Sequence, residues 1–111
     1  MNTAHQGRRV EHLIRADLEK HGYECVRAAA SKGPADIVAF KTGQVLLVSC
    51  KRTELPRPAE RAALIRVANL LPGVAVPLIA RKPPRQPIQY ERVIGVAVRE
   101  AWTPDYAEEA S

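Results

Sequence analysis

Asp36, Ser49 and Lys51 stand at the ends of two apolar runs, Ile37-Val38-Ala39-Phe40 and Val45-Leu46-Leu47-Val48. Between the runs lies Lys41-Thr42-Gly43-Gln44, and apolar runs around a Gly-containing turn are a hairpin signal. If Thr42-Gly43 is the loop, Lys41 pairs with Gln44 and Asp36 lies opposite Ser49. A three-residue loop with a bulge is the alternative register. Cross-strand partners point to one face, as do residues two apart on a strand. The two-residue loop therefore gathers Asp36, Ser49 and Lys51 on one face. An acid and a lysine held a few ångströms apart on strands suit metal-assisted hydrolysis.

Other elements must hold this hairpin in place. Val10, Leu13, Ile14 and Leu18 follow helical spacing, which predicts a helix from Arg8 to His21 stopped by Gly22. Residues 1–7 read as a flexible arm. Glu11 lies at the edge of the apolar stripe. It is either a solvated flank charge or a group reaching toward whatever the helix covers. Asp17 falls inside the stripe, where an unpaired charge is costly, so it is paired or at an interface.

A strand is expected over Tyr23–Ala30, followed by a loop that ends at Gly33-Pro34, with Ser31 and Lys32 at its tip. Val45–Val48 is apolar without alternation, as in a central strand covered on both faces. Arg52–Pro58 reads as a linker and Pro58 as the first turn of a helix running to Leu71. That helix is apolar enough to cover the sheet and also to meet a partner subunit, with Arg57, Arg61 and Arg66 on another side. Val74–Arg81 reads as a strand whose Pro77 predicts an edge position or a bulge. After the proline-rich segment 82–87, Ile88–Val98 holds one more strand. From Ala101 the acidic, small-residue tail is expected to fray. The whole predicts a single α/β domain over residues 1–111, with a mixed central sheet of about five strands flanked by helices.

The 111 residues carry a net charge of +5, which favours an anionic partner: nucleic acid first, an acidic membrane surface second. Aromatic residues are only 5%, so platforms for stacking unpaired bases are poorly supplied. Cys25 and Cys50 have no metal-ligand spacing and read as buried thiols within strands. The first residues form no apolar leader, and no run approaches the ~20 residues of a membrane span. A cytoplasmic, non-membrane protein is expected.

Several motifs in order resemble the archaeal-type Holliday junction resolvases of the restriction-endonuclease-like nuclease superfamily. Gly7-Arg8-Arg9-Val10-Glu11 resembles their Gly-Lys-x-Ala-Glu. Val26-Arg27-Ala28-Ala29-Ala30-Ser31 resembles Val-Arg-x-x-x-Ser. Pro34-Ala35-Asp36-Ile37-Val38-Ala39 resembles Pro-Asp-Ile-x-Ala, with Ala35 inserted. Val48-Ser49-Cys50-Lys51 resembles Ile-Glu-Cys-Lys, and Val76–Lys82 resembles a later strand. The likeness spans about residues 7–95. Ser49 departs from it, standing where these proteins usually carry a metal-binding carboxylate.

The resemblance implies a metal-dependent, structure-selective endodeoxyribonuclease that resolves four-way and other branched DNA, acting as a homodimer without a small-molecule cofactor. It implies Mg²⁺, with Mn²⁺ able to substitute. Asp36, the Cys50 backbone carbonyl and Glu11 would serve as its ligands, Glu11 directly or through water. It assigns Lys51 to the attacking water and the transition state, and Ser31 to the region of the scissile phosphate. It makes Ser49 part of the catalytic constellation. Arg8, Arg9, Arg27, Lys32 and Arg52 would hold backbone phosphates, which positions DNA without reading sequence. Two other readings stay open: a repair or restriction-type nuclease on the same fold, and a catalytically silent DNA-binding dimer in which Ser49 is the inactivating change.

Overall fold

The structure, a computed structural model, describes residues 3–28 and 34–104, with side chains from Arg8 onward. Helix α1 spans Thr3–Lys20, followed by strands β1 Glu24–Arg27, β2 Ile37–Lys41 and β3 Gln44–Lys51. Helix α2 is Pro58–Ala68, and strands β4 Ala75–Arg81, β5 Gln89–Gly95 and β6 Val98–Trp102 complete the chain. The strands form one sheet in the order β1-β2-β3-β4-β5-β6. Only β3 and β4 run parallel, and α2 is the crossover between them. The architecture is thus the expected mixed α/β sheet, with six strands rather than about five.

The central hairpin adopts the two-residue register. Lys41 pairs with Gln44 and Ile37 with Val48. Gly43 takes φ +77°, a conformation open to glycine because it lacks a Cβ. Each face of the sheet has its own helix. Val10, Ile14 and Leu18 of α1 bury against Ile37, Ala39, Leu46, Val48, Val76, Leu78 and Ala80. Leu64 and Ala68 of α2 bury against Leu47 on the other face. Full burial of a leucine such as Leu64 stabilises by roughly 1.5–3 kcal/mol, so α2 is held firmly over the sheet face that carries Ser49 and Lys51.

Several local expectations change. Helix α1 begins at Thr3, so residues 3–7 carry helical backbone where a flexible arm was expected. Leu13 is exposed. Helix α2 ends at Ala68 with Asn69 as its C-cap, leaving Leu70 and Leu71 outside it.

Pro77 lies in a central strand, not at an edge and not at a bulge. Lys82 N–H donates to Lys51 O on the β3 side, so alternation turns position 77 toward β5. Pairing with β5 begins only at Leu78, so the missing N–H of Pro77 falls beyond the last rung. Residues 88–98, expected as one strand, instead hold β5 and the start of β6. Ala101 and Trp102 belong to β6 rather than to a frayed tail. Trp102 is buried edge-on against Tyr90, ring centroids 5.7 Å apart. Residues 105–111 lie outside the described residues. Asp17 is paired: its carboxylate accepts the Tyr90 hydroxyl at 2.7 Å. No helix among the described residues is long and apolar enough to cross a membrane.

Candidate active site

Asp36 sits at an irregular step where β2 begins. Its N–H donates to Val48 O at 2.8 Å, while its C=O accepts the Ala28 N–H at 2.9 Å. A residue in a regular strand directs both groups to the same neighbour. Asp36 divides them between β3 and the segment after β1. Its carboxylate then turns along β3 and accepts the Cys50 N–H at 2.8 Å. Because the N–H and C=O of one strand residue point the same way, the Cys50 carbonyl also faces the Asp36 edge.

A cavity of about 550 Å³ opens beside this step, lined by Asp36, Ser49, Lys51, Glu60, Ala63 and Arg66 among others. Hairpin register brings Ser49 and Lys51 to the face covered by α2, and the first turn of α2 adds Glu60. Lys51 Nζ lies 3.5 Å from Glu60 Oε2. Burial pushes the Asp36 pKa above the usual carboxylate value. The Cys50 N–H opposes that shift, Glu11 and Glu60 reinforce it, and Lys51 opposes it. An ionised Asp36 thus carries negative charge in a partly desolvated place, a setting that favours a cation.

The Cys50 thiol lies on the opposite, α1 side and packs against that core. Burial pushes its pKa up strongly, and burial lifts Cys25 to about 11. Both cysteines are free thiols.

Glu11 lies in a separate cavity of about 190 Å³ with Arg8, His12, Arg15 and Arg27. Its Oε2 accepts Arg27 Nε–H at 2.8 Å. Its negative charge adds to the upward push that burial gives the Asp36 pKa. A third cavity, of about 300 Å³, is lined by Arg9, Arg52, Lys82 and Arg85 with Val10, Leu13 and two prolines. Four cations around one concavity concentrate positive potential there.

The sequence matches the family model described as archaeal Holliday junction resolvase (hjc) over residues 2–100. The chain belongs to the archaeal Holliday junction resolvase family. Its structure is similar to the 1.6 Å structure of Archaeoglobus fulgidus Hjc, a Holliday junction resolvase from an archaeal hyperthermophile. The TM-score is 0.68 at 29% identity, covering 79% of this chain and 73% of that one. None of the curated proteins matches the sequence.

Within this resolvase fold, Asp36, Ser49 and Lys51 meet on one cavity, while Glu11 is held apart by Arg27. Arg8 and Arg27 share the Glu11 cavity, whereas Arg9 and Arg52 share the third. Ser31 and Lys32 lie outside the described residues. Among the described residues, no three acidic, histidine or cysteine side chains converge closely enough to hold a metal on their own. The donors present at Asp36 are nonetheless hard oxygens: carboxylates, a hydroxyl and a backbone carbonyl. That set fits Mg²⁺, which binds through one or two carboxylates and completes its shell with substrate phosphate and water.

Sequence reasoning missed Glu60, Lys82 and Arg85, and counted Arg66 only as a basic flank. The available signal for Glu60 was that it is the single acid in α2, Pro58–Ala68. Nothing local placed it over the hairpin, because that depends on how α2 docks. Arg61, also counted as a basic flank, is engaged by backbone: it donates to Pro56 O at 2.6 Å and Val96 O at 2.7 Å.

Proposed function

We propose that this chain is a metal-dependent, structure-selective endodeoxyribonuclease that incises four-way and other branched DNA. The observation that carries the reading is the shared cavity of the Asp36 carboxylate and the Lys51 ammonium, in a chain of the resolvase family. Asp36 and the Cys50 carbonyl hold a divalent cation, Mg²⁺ or Mn²⁺. When bound, the cation polarises the scissile phosphate and lowers the pKa of a water.

The chain's own residues do the rest. Lys51 orients the attacking water and stabilises charge developing on the phosphoryl oxygens. Glu11, engaged by Arg27, contributes negative potential rather than a direct bond. Arg66 stands at the rim of the same cavity, where it meets an adjoining phosphate. The two basic cavities hold backbone phosphates on either side of α1: Arg8 and Arg27 in one, Arg9, Arg52, Lys82 and Arg85 in the other. Such contacts fix the position of the DNA without reading its bases, as branch-selective binding requires.

Symmetric incision of a four-way junction calls for two sites related by a two-fold axis, hence a homodimer. Leu64 and Ala68 of α2 cover their own sheet. Leu70, Leu71 and Val74 just beyond the helix remain exposed and supply apolar surface for the second subunit.

Incubation with an immobile four-way junction and a linear duplex, with Mg²⁺ or Mn²⁺, tests the reading. Paired nicks near the branch point, in the junction alone, are expected. Equal cutting of both substrates would assign a different nuclease activity to the fold. Tight junction binding without cutting would make the chain a silent DNA-binding dimer.

A further inference from the structure

We propose that Glu60, from the first turn of α2, is the second charged ligand of the cation held by Asp36, occupying the role that the neutral Ser49 cannot fill. The inference rests on the proposed reading of the Asp36 cavity as a cation site.

Three features of this cavity point to it. The first is position. Glu60 and Leu64 are four apart and share a face of α2, and Leu64 is fully buried against the sheet. That face brings Glu60 over the end of β3, into the cavity lined by Asp36, Ser49 and Lys51. The helix cannot swing freely. Pro58 sets its first turn, and Arg61 ties it to the linker at Pro56 and to the β5–β6 turn at Val96.

The second is Ser49 itself. It is only 1% exposed and lines this cavity, a neutral side chain between the Asp36 and Lys51 positions. Its small side chain also leaves the room into which the longer Glu60 reaches from the helix.

The third is charge. Two carboxylates lining one cavity repel each other, and Lys51, which lines it too, lies 3.5 Å from Glu60 Oε2. The Lys51–Glu60 contact is 3.5 Å and part-exposed, so it is weak and readily exchanged. A divalent cation relieves the repulsion directly. Asp36, Glu60, the Ser49 hydroxyl and the Cys50 carbonyl then offer an all-oxygen set from β2, α2 and β3, as Mg²⁺ or Mn²⁺ prefers. Lys51, freed from Glu60, becomes available to water and phosphate.

The test is Mn²⁺ binding by the full chain without DNA, read from the electron paramagnetic resonance signal of free Mn²⁺. Four proteins are compared: wild type, Glu60→Gln, Asp36→Asn, and Glu60→Gln combined with Ser49→Glu. Circular dichroism melts verify that each is folded. Glu60→Gln is expected to lose at least about tenfold in Mn²⁺ affinity, and the added Ser49→Glu to restore it. Wild-type affinity in Glu60→Gln, with loss confined to Asp36→Asn, would overturn the role of Glu60 and leave the cation site standing. Failure of Ser49→Glu to restore binding would also count against it, since the two positions would not then share a ligand role. Unchanged Mn²⁺ binding in both single variants would remove the cation site itself.

Discussion

The Asp36 carboxylate accepts the backbone N–H of Cys50 at 2.8 Å, across the step where β2 leaves its regular pairing with β3. This bond fixes the acid against the strand that carries Ser49 and Lys51. It also turns the Cys50 carbonyl toward the same edge. The hairpin therefore turns one side chain and one backbone oxygen to the same edge, and Lys51 lines the same cavity as Asp36.

Asp36 is held where its ionised form is disfavoured, which has a consequence for stability. A carboxyl whose pKa rises on folding binds its proton more tightly in the folded state. Its contribution is fully present below the usual carboxylate range and is lost as pH rises through the raised value. Asp36→Asn is therefore expected to raise the melting temperature at neutral pH without divalent ions. The gain should vanish in acid, where Asp36 is already protonated. Mg²⁺ should raise the wild-type melting temperature but not that of the variant. Thermal melts at neutral and acidic pH measure all three, and a lower neutral melting temperature for the variant would contradict the assignment.

Glu11 and Arg27 form a part-exposed ion pair, which contributes about 1 kcal/mol at most. Arg27→Ala should leave folding nearly intact while weakening junction binding. Chemical denaturation and a binding titration separate the two effects. A loss of several kcal/mol in stability would show that the pair is structural.

The cavity of Arg9, Arg52, Lys82 and Arg85 is expected to meet phosphate backbone. Arg85→Ala should lower junction affinity and reduce the slope of log affinity against log salt by about 0.9, the value for one lost phosphate contact. Titrations at several salt concentrations check this. An unchanged slope would place the DNA elsewhere.

Trp102 closes the far edge of the core against Tyr90. Trp102→Ala is expected to cost about 3–5 kcal/mol by chemical denaturation, as for other large-to-small changes in a core. A near-neutral effect would return the end of the chain to the frayed tail expected from its composition.

The two ends of the chain show where sequence reasoning stops. Hairpin register was readable as one of two alternatives, because apolar runs and a glycine turn limit it locally, and the two-residue loop that the structure adopts brings Asp36, Ser49 and Lys51 together. The mixed sheet followed from the apolar central arm and the helix-then-strand return after it. Trp102 was lost because acidic, small neighbours outweighed a single aromatic in the reading of that segment. Pro77 misled for a different reason: its missing N–H matters only if a neighbouring rung needs it, and that depends on where β5 begins. Glu60 and Arg85 reach their cavities through the docking of α2 and the path of the β4–β5 loop. No periodicity encodes either of these.

The central claim is cleavage of branched DNA at the Asp36 site. Its most direct measurement is single-turnover incision of a four-way junction by wild type and Asp36→Asn, with excess protein and Mg²⁺ or Mn²⁺. Wild type should place paired nicks near the branch point. The variant should bind the junction equally well and cut it at least about a thousandfold more slowly, a barrier increase of roughly 4 kcal/mol. Undiminished cleavage by Asp36→Asn would contradict the claim.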